Sequence, residues 1–156
     1  MRLSLGYPSL DDEAKMLTRL KKSHPIDELT PVATAAEMVA CQEAVRDVAV
    51  DDKVRDYALK LVHASRQHED VALGGSPRAS IALYRTAQAL AALQGRDFAL
   101  PDDVKKMAIP VLAHRIILKP ESRLRKLTPT NVVQEIVSDV SVPVMPQPGV
   151  RDDWGD

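Results

Sequence analysis

The feature that most constrains the fold is a run of apolar residues at helical spacing in the middle of the chain. Val54, Tyr57, Ala58, Leu61 and Val62 follow one another at i, i+3, i+4, i+7 and i+8, which places them on one face of an α-helix. Aromatic residues make up only 3% of the 156 residues, and this favours helices packed through Ala, Leu and Val over a β-sandwich. The sequence therefore predicts an all-α fold.

Start signals for further helices are spread along the chain. Side chains that cap helices, and prolines that suit a first helical position, indicate starts at Ser9, Thr34, Asp51, Ser76–Pro77, Pro101 and Thr128–Pro129. Gly95 has the position of a left-handed C-cap at the end of the fourth helix. We expect a helical bundle of about five to six helices, with at most one very short β pairing.

Proline content and helical periodicity predict three regions. Residues 1–34 are expected to be a linker with a first helix, residues 35–141 a helical domain, and residues 142–156 a flexible Pro-rich tail. The chain has no N-terminal signal pattern and no apolar run long enough to cross a bilayer. Its single cysteine, Cys41, falls in an apolar helical pattern and is predicted to be buried. We therefore expect a cytoplasmic protein.

Charge and composition make several functions improbable. The 21 Lys and Arg against 22 Asp and Glu give a net charge of -1, so nucleic acid and anionic membranes are not attracted in general. A basic strip with Arg115, Lys119, Arg123, Arg125 and Lys126 is only a weak nucleic-acid candidate. The four histidines lack cysteine partners and the i, i+4 spacing of metal ligands. A metal site is not expected.

The sequence also lacks the elements that bind and hydrolyse a nucleoside triphosphate. It contains no G-x-x-x-x-G-K-[ST] loop and no apolar strand that ends in Asp-Glu. We therefore assign no catalytic residue to this fragment and expect no hydrolysis by the chain alone.

A candidate anion site lies at Gly74-Gly75-Ser76-Pro77-Arg78. Arg78 falls in the first turn of a helix, where a cation is disfavoured by about 0.3 to 1 kcal/mol unless an anion lies nearby. Two glycines allow backbone to approach a ligand closely, and a guanidinium beside helix N–H groups suits phosphate oxygens. In the alternative reading, Arg78 only reaches solvent or an adjacent carboxylate. A second arginine, Arg96, is predicted to pair with Asp97 in a surface turn.

The order of these motifs resembles the C-terminal part of MoxR-type AAA+ ATPases over about residues 1–142. The matching segments are Leu5-Gly6-Tyr7-Pro8, Val54 to Tyr57, Gly74 to Arg78, Gly95 to Phe98, Pro101 to Val104 and Val111 to Arg115. The resemblance implies a helical lid in which Arg78 is the sensor-2 arginine that reaches the phosphates of ATP, with Gly75, Ser76 and Pro77 beside it. In such proteins the Walker A, Walker B, sensor 1 and arginine-finger elements, and the Mg site, lie upstream. The chain is therefore expected to be a lid separated from its nucleotide-binding domain.

The resemblance also implies partners. Members of the family form rings, expected here to be hexamers, and act as chaperone-like remodellers, often with von Willebrand factor A domain proteins. The implied partners are the N-terminal AAA+ nucleotide-binding domain and the neighbouring subunits of the ring. A stand-alone helical protein-interaction module, with a groove unrelated to Arg78, is the alternative. The tail with Trp154 does not fit the family pattern and receives no role.

Overall fold

The computed structural model describes residues 1–21 and 24–144. In these residues the chain forms seven α-helices, one 3₁₀ helix and two short strands. The elements are α1 Leu10–Arg19, the 3₁₀ helix Pro25–Glu28, α2 Ala35–Arg46, α3 Asp52–Gln67, β1 Val71–Leu73, α4 Pro77–Leu93, α5 Pro101–Leu112, β2 Ile117–Leu118, α6 Pro120–Leu124 and α7 Pro129–Asp139. The predicted all-α class is confirmed, and α6 is a five-residue helix that no sequence signal indicated. No helix in the described part combines the length and apolar character needed to span a bilayer.

Helix starts follow the capping residues read from the sequence. The side chains of Ser9, Asp51 and Thr128 each accept a backbone N–H in the first turn, at 3.2, 2.8 and 3.2 Å. At α2 the Glu37 N–H donates to Thr34 Oγ1 at 3.2 Å, and the Thr34 N–H donates to Glu37 Oε2 at 2.7 Å. These bonds satisfy N–H groups that have no partner within the helix, which fixes where each helix begins.

The chain divides into two compact units, and the first is Leu3–Ala44. It contains α1, the 3₁₀ helix and most of α2. None of its described side chains is buried, and Cys41 is exposed. The predicted burial of Cys41 is therefore wrong, because its face of α2 has no packing partner within this unit. The boundary at residue 35 stays a prediction, and most of the predicted tail, residues 145–156, lies outside the described residues.

The second unit comprises Met1–Arg2 and the chain from Val45 onward, and it holds the hydrophobic core. Helix α4 packs against α3 and α5, and α7 packs against the same two helices. The five apolar residues that define the α3 face are all buried: Val54, Tyr57, Ala58, Leu61 and Val62. Complete burial of an aliphatic side chain contributes about 1.5 to 3 kcal/mol, so this face anchors α3 in the bundle.

A two-stranded antiparallel sheet ties the segment after α3 to the segment after α5. Val71 of β1 pairs with Leu118 of β2. Just before β1, the buried Asp70 accepts a hydrogen bond of 2.6 Å from Ser122 Oγ and pairs with Arg125. The Ser122 hydrogen bond, aided by the Arg125 cation, holds the pKa of Asp70 below its usual value. One residue of the predicted basic strip is therefore engaged in an internal ion pair.

Arg96, after the left-handed Gly95 (φ 72°), forms an ion pair different from the predicted one. Its guanidinium bonds both carboxylate oxygens of Asp103, at 2.7 and 2.9 Å. Asp103 also accepts the Leu100 N–H at 2.8 Å and is only 1% exposed. The hydrogen bond to Asp103 raises the pKa of Arg96. The predicted Arg96–Asp97 pair is therefore wrong, because the turn aims the guanidinium at the first turn of α5.

Candidate functional site

Arg78 lies in the first turn of α4 and is exposed. Within the described ranges its side chain has no hydrogen-bond or ion-pair partner. The first turn of α4 contains no acidic residue that would offset the cation. Because the amino end of a helix carries a partial positive charge, this guanidinium stands where an anion would be bound favourably.

The two glycines before α4 face α3 and not open space. A Cβ on Gly74 would lie 2.6 Å from Ser65 O and 2.6 Å from Arg66 Cα. A Cβ on Gly75 would lie 3.1 Å from a methyl of Val62. A side chain at either position would therefore meet α3, while the close approach of this backbone to a ligand stays a prediction. The two glycines allow the backbone before α4 to pack directly on the last turns of α3.

Ser76 and Pro77 occupy the predicted N-cap and first helical positions. The Ser76 side chain, however, makes no capping hydrogen bond. Its carbonyl accepts the Ala79 N–H at 2.8 Å, which closes the first turn. The exposed Ser76 hydroxyl is therefore not used by the helix itself.

A groove runs along the exposed side of α3. Its volume is about 590 Å³ and it combines apolar side chains with cationic or polar ones. The lining residues are Leu59, Lys60, His63, Ala64, Arg66, Gln67, Ser80 and Val140. Carboxylates are absent from this lining among the described residues. Elsewhere, the described residues bring together no group of three His, Cys, Asp or Glu side chains that could hold a metal ion.

Residues 63–139 match the family model described as the AAA lid domain. The chain carries an AAA lid domain. The match includes Arg78 and the start of α4, together with α5, α6 and α7. The free guanidinium thus belongs to the part of the chain that defines the family.

Relatives of this lid include proteins named MoxR. The chain is 28% identical to the chaperone MoxR1 of Mycobacterium tuberculosis over 95% of its own length and 42% of that protein. It is 42% identical to the protein MoxR of Paracoccus denitrificans over 45% of its length. It is also 42% identical to the uncharacterized protein YeaC of Bacillus subtilis, over 92% of its length and 45% of that protein. The lid is of the MoxR type, and it spans less than half the length of the curated relatives that it matches most fully.

The fold has a counterpart among solved structures. A crystal structure of a proposed ATPase from Cytophaga hutchinsonii superimposes with a TM-score of 0.83 over 90% of this chain and 45% of that one. The identity is 24%. This likeness concerns the fold, and it confirms the predicted helical lid architecture.

Two side chains that hold the glycine segment carry no local sequence signal. The Gly75 N–H donates to Ser65 Oγ at 3.0 Å, and Arg66 Nε donates to the Gly75 carbonyl at 2.7 Å. Ser65 and Arg66 lie nine to ten positions upstream of Gly75, beyond the reach of capping patterns. Only the packing of α3 on α4 brings these groups together.

Proposed function

We propose that this lid domain acts with the nucleotide-binding domain of a AAA+ ATPase, and that Arg78 is its sensor-2 arginine. The observation that carries the proposal is the exposed Arg78 guanidinium, free of ion pairs within the described residues, at the amino end of α4. A cation left unpaired at a helix amino end is stabilised when an anion joins it. The resemblance of the lid to those of AAA+ ATPases favours ATP as the source of that anion.

The groups around Arg78 fit phosphate oxygens. The guanidinium offers only hydrogen-bond donors, and the Ser76 hydroxyl is not used as a cap. Pro77 fixes the first turn, and Gly75 fixes the distance between that turn and α3. ATP supplies a terminal phosphate that leaves the site as inorganic phosphate after hydrolysis, while Mg would be held in the P-loop domain. Arg78 would bind less strongly after hydrolysis, so the lid would be released to rotate.

The parent protein is proposed to be a chaperone-like remodeller that works as a ring. The name of the M. tuberculosis relative, a chaperone, supports this role. We propose a hexamer in which the lid contacts its own nucleotide-binding domain and neighbouring subunits, with von Willebrand factor A domain proteins as partners. A cytoplasmic location is part of the same proposal.

The test is Arg78→Ala in the full-length protein, compared with Arg123→Ala. Arg123 is also exposed and has no ion-pair partner in the part of the chain that the structure describes, so both variants lose the same side chain and charge. Loss of a hydrogen bond to a charged group is worth about 1.5 to 3 kcal/mol, or about 10- to 150-fold in ATP affinity. Arg123→Ala should leave ATP affinity and turnover unchanged. Normal ATP affinity and turnover in Arg78→Ala would remove Arg78 from the mechanism.

A helical protein-interaction module is the second candidate, and the α3 groove favours it. The groove lining combines apolar side chains with Lys60 and His63, a surface suited to an acidic amphipathic segment. This function predicts partner binding that is indifferent to nucleotide and sensitive to Lys60→Glu. If Lys60→Glu abolishes partner binding while Arg78→Ala changes nothing, the interaction module is the better description.

A further inference from the structure

Gly75 lies two positions before the start of α4. Its backbone N–H and its carbonyl both form hydrogen bonds with side chains of α3. Ser65 is fully buried, and its Oγ donates to Val62 O at 2.6 Å while accepting the Gly75 N–H at 3.0 Å. Arg66 Nε donates to Gly75 O at 2.7 Å. We call this pair of contacts, made by Ser65 and Arg66, the Gly75 clamp.

We propose that the Gly75 clamp positions Arg78, so that Ser65 and Arg66 are positioning residues for the nucleotide-sensing contact. The inference rests on the proposed function of Arg78 and adds to it the means by which the lid holds that side chain in place. Arg78 follows Gly75 by three residues, and Pro77 between them has a restricted φ. Little backbone freedom therefore remains between the clamp and the Cα of Arg78, from which the side chain extends.

Close packing around the clamp further restricts the backbone before α4. Gly74 lies so close to the backbone of Ser65 and Arg66 that even a methyl group would overlap it at 2.6 Å. The buried Ser65 hydroxyl cannot exchange its partners with water. The last turns of α3 are thus joined to the start of α4, which carries Arg78. A force exerted on Arg78 by a bound anion would therefore act on α3 as well as on α4.

The first test measures the clamp without nucleotide, by hydrogen exchange of the full-length protein. In Ser65→Ala the Gly75 N–H loses its acceptor, and we expect exchange in the peptide that contains Gly75 to rise about tenfold or more. Arg123→Ala removes an exposed side chain that has no ion-pair partner among the described residues, and it should leave this peptide unchanged. Unchanged exchange at Gly75 in Ser65→Ala overturns the clamp, whatever Arg78 does.

The second test asks whether the clamp acts through Arg78. We expect Arg66→Ala to raise the KM for ATP about 2- to 10-fold, and to add nothing further in an Arg78→Ala background. Arg66→Lys keeps a donor for the Gly75 carbonyl and should recover most of the loss. Arg123→Ala again serves as the control.

The outcomes separate the two proposals. If Arg78→Ala leaves ATP binding and turnover unchanged, the sensor function fails, while the exchange at Gly75 still decides whether the clamp exists. If Arg66→Ala and Arg78→Ala have independent, multiplicative effects on KM, Arg66 acts by its own contact and the positioning role is overturned. If only Arg66→Ala changes KM, the positioning role is overturned as well.

Discussion

Removal of Arg96 tests how strongly the turn between α4 and α5 depends on one side chain. Arg96→Ala deletes two hydrogen bonds to Asp103, at 2.7 and 2.9 Å, one to the Phe98 carbonyl at 2.8 Å and one to Gln94 Oε1 at 2.6 Å. The Asp103 side chain, which belongs to a residue only 1% exposed in the intact structure, would retain only the Leu100 N–H as a partner. The variant thus leaves a nearly buried carboxylate without its cation.

The expected cost follows from burial. Removal of one partner from a fully buried ion pair costs about 3 to 5 kcal/mol. The Arg96 side chain is 21% exposed, so water can reach part of the vacated space and we expect a cost below that range, about 2 to 3 kcal/mol. That is a large part of the stability of an ordinary domain, which is about 5 to 15 kcal/mol.

Denaturant unfolding followed by far-UV circular dichroism measures this loss directly. The matched control is Asp97→Ala, because Asp97 is the carboxylate next to Arg96 in sequence and is exposed. An exposed residue without such contacts should change the free energy of unfolding by no more than about 0.5 kcal/mol. If Asp97→Ala costs as much as Arg96→Ala, or if Arg96→Ala costs nothing, the ion pair with Asp103 does not stabilise this turn.

Three further predictions, which use four substitutions, concern other parts of the lid. Gly74→Ala places a methyl 2.6 Å from the α3 backbone and should cost about 1 to 3 kcal/mol in unfolding free energy; no loss would contradict the close packing. Asp70→Asn should make the free energy of unfolding depend less on pH at acidic pH. The Ser122 hydrogen bond lowers the folded pKa of Asp70 below 3.8. The stabilisation by the Asp70 carboxylate is therefore present above that pH and lost as the pH falls through the folded pKa. If Tm falls with decreasing pH in the variant as steeply as in the unchanged protein, this prediction is refuted. Ser76→Ala should change the free energy of unfolding by less than about 0.5 kcal/mol, because the Ser76 side chain makes no capping hydrogen bond. Thr128→Ala loses a capping hydrogen bond of 3.2 Å and should cost about 1 kcal/mol. Equal losses would contradict the different cap geometries.

Features that span a single turn were predictable from the sequence. Helix α3 was predicted from apolar spacing, and the capping bonds of Ser9, Asp51 and Thr128 form as expected. Gly95 adopts the predicted left-handed conformation after α4. Each of these features depends on groups within a few residues of one another, so the local sequence contains the physical cause.

Contacts between elements could not be read in the same way. The sequence predicted an ion pair between Arg96 and Asp97, but the backbone turn directs the Arg96 guanidinium to Asp103, seven residues away. Ser122 donates a hydrogen bond to Asp70 across 52 residues, next to the pairing of β1 with β2. Such partners are selected by how helices pack, which no short pattern contains.

The candidate site combines both kinds of information. The residues from Ser76 to Arg78 determined by themselves that a helix starts with a cation in its first turn. Only the tertiary structure decided that the glycines before it press against α3, that Ser65 and Arg66 hold Gly75, and that Arg78 stays free of a carboxylate in the described residues. The physical reason is that a helix start depends on adjacent backbone groups, whereas burial, close approach and the choice of an ionic partner depend on surfaces contributed by distant parts of the chain.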